Sequence, residues 1–187
     1  RVSTGEGRTT CSYFLPGDQK ILYASTHAAD PGCLAEPDRS LGYVWKLYDE
    51  FDIYVVDAGG GTPTPLITGK GYDAEATVSP KGDKIVFTST RDGDPEIYVA
   101  NLDGSGVTRL TNTPGYDGGP FFSPDGTKIV YRANHPEGPE EDHRLAPEPN
   151  HVIARSGCRV ESLERMRRDL LADIAKTHPG AVGVHGS

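Results

Sequence analysis

The chain has 187 residues, 35% hydrophobic and 25% charged, with 15 prolines and 23 glycines, enough for one core and many turns. Its net charge of −8 argues against a phosphate backbone as the main partner, because such affinity comes from clustered Lys and Arg. No apolar run approaches the ~18 residues that span a bilayer, so nucleic-acid binding and membrane insertion are set aside.

The first residues, "RVSTGEG", offer neither an initiator Met nor the apolar core of a signal peptide, so any targeting segment is expected to have been removed or never included. The phrase "TTCSYFLPGDQKILYAST" follows from Thr9, and it returns twice downstream. Its copies begin "DAEATVSPKGDKIVFTST" at Asp73 and "DGGPFFSPDGTKIVYRAN" at Asp117, so that Pro16, Pro80 and Pro124 correspond at offsets of 64 and 44. The second half of the unit repeats too, since "FDIYVVDAGGGTPTPLITGKGYD" from Phe51 matches "PEIYVANLDGSGVTRLTNTPGYD" from Pro95 at the offset of 44. The longer first offset places about 20 extra residues in an insertion, residues 27–50.

The central unit predicts four strands, Ala74 to Ser79, Lys84 to Ser89, Glu96 to Asn101 and Val107 to Thr111. They are β-branched or aromatic and are separated by "SPKGD", "RDGDP" and "LDGSG", where Pro presets one turn dihedral and Gly accepts positive φ. Four strands in about 44 residues are the dimensions of a β-propeller blade. The fold class is therefore all-β, with about two and a half four-stranded antiparallel blades followed by a linker and a short helix. Blade 1 is expected over about residues 8–72, blade 2 over 73–116 and a partial blade 3, of two strands, over 117–136. In the same register Arg1, Val2 and Ser3 fall on Arg109, Leu110 and Thr111, the end of a fourth strand. An incomplete ring leaves open strand edges and an apolar blade face at each end, so a larger propeller or self-association is expected.

After blade 3, residues 137–160 are polar and proline-broken and read as a linker. Residues 161–177 place Leu163, Met166, Leu170, Leu171 and Ile174 on one helical stripe, with Ser162 as the cap and His178, Pro179 and Gly180 as the stop. Residues 178–187 read as a disordered tail.

The strings "SPDGTKIVYRA" and "SPKGDKIVFTSTRDGDPEIYVANLDGSGVTRLT", with the "GYD" link, resemble the repeats of TolB-type propellers, also called PD40 repeats. The resemblance covers residues 1–136, and the first copy departs from it where "LPGDQK" replaces the usual proline, aspartate, glycine order. It implies a six-bladed propeller of periplasmic or secreted bacterial proteins, used mostly for protein contacts and sometimes joined to a peptidase.

In a four-stranded meander the second-to-third connections lie at the same end as the inter-blade links. Both long excursions, residues 27–50 and those after Asn134, are second-to-third connections, so they are expected on one face, where repeat proteins commonly bind. On the first, Tyr43, Trp45, Tyr48 and Phe51 are candidate partner-binding anchors, or else fold the insertion onto its blade. Cys11 and Cys33 are a candidate disulfide, suited to an oxidising compartment, or else two thiols; Cys158 is left over.

Asp92, Asp94 and Glu96 surround a glycine, but the position that must bend a calcium loop is Ile97, so they read as a tight joint between strands. The six histidines form no HExxH and have no CxxC companion. No GxSxG is present, and "DGSG" around Ser105 reads as a turn. The expectation is a non-catalytic propeller scaffold without cofactor or metal, binding an unidentified protein. The alternatives are the substrate-gating propeller of a larger serine peptidase, or a sugar- or ion-binding propeller.

Overall fold

The structure, a computed structural model, describes residues 1–37, 40, 45–135, 151–152 and 157–177. For Trp45, 151–152, 157–160, 170–171 and 173–177 it describes the backbone alone. Among the described residues three antiparallel sheets, of four, four and three strands, form the frame. Blade 1 is β1 (Thr9–Phe14), β2 (Lys20–Ser25), β4 (Asp52–Asp57) and β5 (Thr64–Ile67), paired in that order. Within its insertion lies the short β3 (Trp45–Lys46). Blade 2 is β6 (Asp73–Val78), β7 (Lys84–Ser89), β8 (Glu96–Asn101) and β9 (Thr108–Arg109).

Blade 3 differs from the sequence expectation. After β10 (Tyr116–Phe122), β11 (Lys128–Asn134) and the two-residue β12 (His151–Val152), a further strand, β13 (Gly157–Ser162), pairs with β11 over six positions. Residues 157–160, read as linker, therefore belong to a third strand. The excursion interrupts the blade rather than ending it. Helix α1 (Leu163–Thr177) follows at once, and Ser162 Oγ accepts the Arg165 amide at 3.1 Å, an N-cap bond. Leu163 and Met166 pack against the cluster that holds Ile129 and Tyr131.

Most of the core lies in two inter-blade layers, with a smaller cluster of Tyr23, Tyr54 and Val56 on the other face of blade 1. Between blades 1 and 2 lie Leu22, Ala24, Ile53, Ile85, Phe87 and Tyr98; between blades 2 and 3 lie Val86, Ile97, Val99, Ile129 and Tyr131. Alternation along each strand divides its side chains between the two neighbours, which is why these strands are apolar on both faces.

The inner strands share one irregularity. Each pairing breaks register, between Thr10 and Tyr13, Ala74 and Thr77, and Gly118 and Phe121. The residue in each bulge, Cys11, Glu75 or Gly119, has φ of 48°, 59° or 62°. These three correspond at the offsets of 64 and 44. At Glu75 the bulge also joins blades: one carboxylate oxygen accepts from Thr88 Oγ1 and from the Gly119 amide of blade 3, both at 2.7 Å.

Candidate interaction face

At the end where the links run, one arrangement recurs. The link residue before blades 1 and 2 exchanges two hydrogen bonds with the residue that follows the second strand: Arg8 with Thr26 in blade 1 and Tyr72 with Thr90 in blade 2. A β-strand end is thereby closed without exposed donors. In blades 2 and 3 an acid near the start of the inner strand then meets a basic side chain at the second-to-third joint. Arg91 binds Asp73 at 2.9 Å in blade 2, and His135 Nε2 lies 2.8 Å from Asp117 Oδ1 in blade 3. Both carboxylates are buried. Blade 1 has Thr9 instead of the acid, and His27 turns to Ser25 Oγ at 2.9 Å and to the Tyr54 ring.

The excursions are built onto this end. Arg8 holds the first: its guanidinium donates to the Leu34 carbonyl at 2.7 Å and to Glu36 at 2.6 Å, and lies 4.9 Å from the Tyr48 ring centre. Tyr48 in turn donates to the Ala35 carbonyl at 2.6 Å. The two excursions meet in a small antiparallel pair, β3 with β12, where Trp45 is opposite Val152 and Lys46 opposite His151.

Of the four candidate anchors, Tyr48 and Phe51 are 7% and 6% exposed and belong to the core between blades 1 and 2. They pack the insertion onto its blade, Tyr48 beneath the Arg8 guanidinium and Phe51 edge-on against Tyr72. Trp45 lies on the β3 backbone that meets the second excursion, and Tyr43 falls outside the described residues. The candidate disulfide is not formed. Cys11 and Cys33 are separate, exposed thiols, the first 3.1 Å from Thr10 Oγ1 and the second directed at the Gly7 carbonyl. Cys11 sits in the left-handed bulge of β1, beside Glu75 of blade 2.

Each acid of the Thr88 to Val99 stretch has a structural partner. Asp92 accepts from Tyr98 Oη at 2.5 Å, Asp94 accepts the Gly115 amide of the next link at 2.8 Å, and Glu96 pairs with Arg109 at 2.5 Å. Burial pushes the Glu96 carboxyl up to about 7, opposed by hydrogen bonds from Thr111 and Arg109. Among the described residues no group of three or more His, Cys, Asp or Glu is arranged to hold a metal ion. Ser105 is a turn residue whose hydroxyl donates to Asp103 at 2.6 Å.

What sequence reasoning missed is the base-to-acid pair at the joints of blades 2 and 3. Its signal was available, because Asp73 and Asp117 stand near the starts of matching inner strands, and Arg91 and His135 follow the matching second strands, at the same offset of 44.

In comparisons with known proteins, residues 36–138 match the family described as the TolB beta propeller domain, PD40. No curated protein matches the chain in sequence. Among solved structures, TolB from Acinetobacter baumannii aligns at TM-score 0.50 and 19% identity, over 86% of this chain and 32% of that one. A puromycin hydrolase aligns at TM-score 0.52 and 13% identity, over 85% and 21%. A putative TolB from Agrobacterium tumefaciens aligns at TM-score 0.48 and 22% identity, over 82% and 64%. The chain thus spans less than two thirds of the length of each.

Proposed function

Since the chain belongs to the TolB β-propeller (PD40) family, we propose that it is a non-catalytic propeller segment that binds a protein partner in the bacterial envelope or outside the cell. The observation that carries this reading is the meeting of β3 and β12. Two long excursions from different blades converge on the end where the blade links lie, and surface loops held by a rigid scaffold are where binding concentrates. Among the described residues no helix is long and apolar enough to cross a membrane. The partner's contacts are expected at Tyr43 and Trp45 rather than at the buried Tyr48 and Phe51.

A photoreactive amino acid at position 43 or 45, compared with one at Asp125 on the opposite turn, tests this directly. Cross-linking of one defined protein from 43 or 45 but not from 125 supports the proposal. Equal or absent cross-linking from both ends defeats it.

A second reading, the substrate-gating propeller of a larger serine peptidase, is supported by the fold shared with puromycin hydrolase. It requires a GxSxG segment with trailing Asp and His in the same reading frame. Sequencing that frame decides between the two.

A further inference from the structure

Among the described residues four large apolar side chains are exposed, Tyr13, Phe14, Val107 and Phe121, and three of them line one cleft. The cleft is open, with a volume of about 660 Å³, inside the range of roughly 300–1,000 Å³ occupied by small-molecule sites. It lies at the first-to-second turns, the end opposite the excursions, and so is separate from the face proposed above. Apolar exposure gathered in one place marks a surface that something covers.

The repeat explains why a cleft forms here. The last two residues of the inner strands correspond at the offsets of 64 and 44: Tyr13 and Phe14 in blade 1, Thr77 and Val78 in blade 2, Phe121 and Phe122 in blade 3. Blades 1 and 3 thus carry aromatic pairs where blade 2 carries smaller side chains, both buried. The inner strand of blade 2 becomes a floor between two aromatic walls, and Pro16, Pro80 and Pro124 of the three successive turns join the lining.

The chemistry of the lining is one-sided. Thr77 Oγ1 donates to the Pro120 carbonyl at 2.8 Å and Ser79 Oγ to Asp83 at 2.7 Å, so these hydroxyls are committed to the fold. A sugar, which needs a set of free donors and acceptors, would find few. Asp18 is the one charged residue of the lining, which includes no Lys, Arg or His, and Lys20, two residues on, pairs with Asp57 at 3.8 Å instead. Asp18 also holds φ of 58° where glycines 82 and 126 stand in the matching turns. A side chain kept at such a backbone cost, beside a cleft, is the kind of strain that gathers at binding sites. Aromatic faces attract cations through the ring quadrupole, and the carboxylate adds to that field. An anion would meet Asp18 and a chain of net charge −8.

We propose that this cleft binds a small alkylated ammonium ion, its methyl or methylene groups against Tyr13, Phe14 and Phe121 and its charge toward Asp18. Rings on both walls give the cation apolar contact and electrostatic attraction together, which a neutral molecule of the same shape obtains only in part. Blade 2 supplies the room by being small where its neighbours are aromatic.

Choline and its neutral isostere 3,3-dimethylbutan-1-ol, each titrated with the 187-residue chain by ligand-observed NMR, test the proposal. Choline is expected to bind with a Kd of about 1 mM, and the alcohol about tenfold more weakly or worse. Phe121→Ala and Asp18→Asn should each weaken choline by about threefold to tenfold, Asn being tolerated in the left-handed turn. Val107→Ala, which removes the exposed apolar side chain outside the cleft, should change nothing. Phe121 and Asp18 are exposed, so circular dichroism should report an unaltered fold; Tyr13→Ala replaces Phe121→Ala if that variant unfolds. No binding at about 20 mM choline, equal binding of choline and the alcohol, or a choline affinity indifferent to both Phe121→Ala and Asp18→Asn would each overturn the proposal.

Discussion

Blades 2 and 3 share a frame and differ at its joints. Blade 2 closes its second-to-third connection within a few residues, with a guanidinium on Asp73 and a carboxylate in its bulge that reaches the next blade. Blade 3 opens the same connection into an excursion, with an imidazole on Asp117 and Gly119 in its bulge. The apolar layers are alike, as Phe87 and Tyr131 show by filling the same position. The repeat thus maintains packing between blades while leaving joint and axis free to change.

Phe87→Ala attacks what the blades share. Phe87 is fully buried between blades 1 and 2, and its removal should cost about 3–5 kcal/mol by transfer and cavity terms, read from chemical unfolding. A loss under about 1 kcal/mol would mean that the layers do not hold the blades together.

Arg109→Ala attacks a pair that blade 1 lacks, since Pro65 stands at the matching position there. It leaves Glu96 buried without its cation, at an expected cost of about 3 kcal/mol. The sign of the pH dependence follows from Glu96, whose folded pKa is raised above its unfolded value by burial. Its protonated form suits the fold, so that contribution is complete below pH ~4.5 and is lost as pH rises through about 7. The Arg109→Ala defect should therefore be deeper at pH 8 than at pH 5, and adding Glu96→Gln should flatten the profile.

Arg91→His makes blade 2 resemble blade 3 at the joint. A guanidinium is permanently charged, whereas an imidazole loses its charge above ~6.5. A cost of about 1–2 kcal/mol at pH 8, smaller at pH 6, is expected for the weakened pair with Asp73. Thermal melts at the two pH values measure it. Equal melts would show that charge at this joint is unimportant.

The smallest effect is a gain. Gly82 and Gly126 take φ of 68° and 70° in the turns of blades 2 and 3, but Asp18 holds that position in blade 1 at 58°. Asp18→Gly should relieve the left-handed strain and stabilise by about 0.5–1 kcal/mol. A loss would mean that the Asp18 side chain contributes more than its backbone costs.

Most of the scaffold was legible because each blade writes its own pattern locally: alternating apolar residues, Pro and Gly at the turns, and offsets that check one copy against another. β13 was not. Its partner β11 lies across an excursion, and Arg159 and Glu161 interrupt the apolar pattern that marks β8. Pairing supplied by a neighbour leaves little trace in the strand itself. The face was legible as a place, from connection order, but not as a set of side chains. Tyr48 and Phe51 look like anchors in sequence, and only the reach of Arg8 and the position of Tyr72 reveal them as core.

The bulged positions of the inner strands show how this architecture separates shape from content. Cys11, Glu75 and Gly119 share one backbone conformation although they are a thiol, an acid and a residue without a side chain. The curve of each inner strand is thus independent of what stands at its crest. Three equivalent addresses on the inner wall are left for chemistry to rewrite, one at a time, without altering the blade behind them.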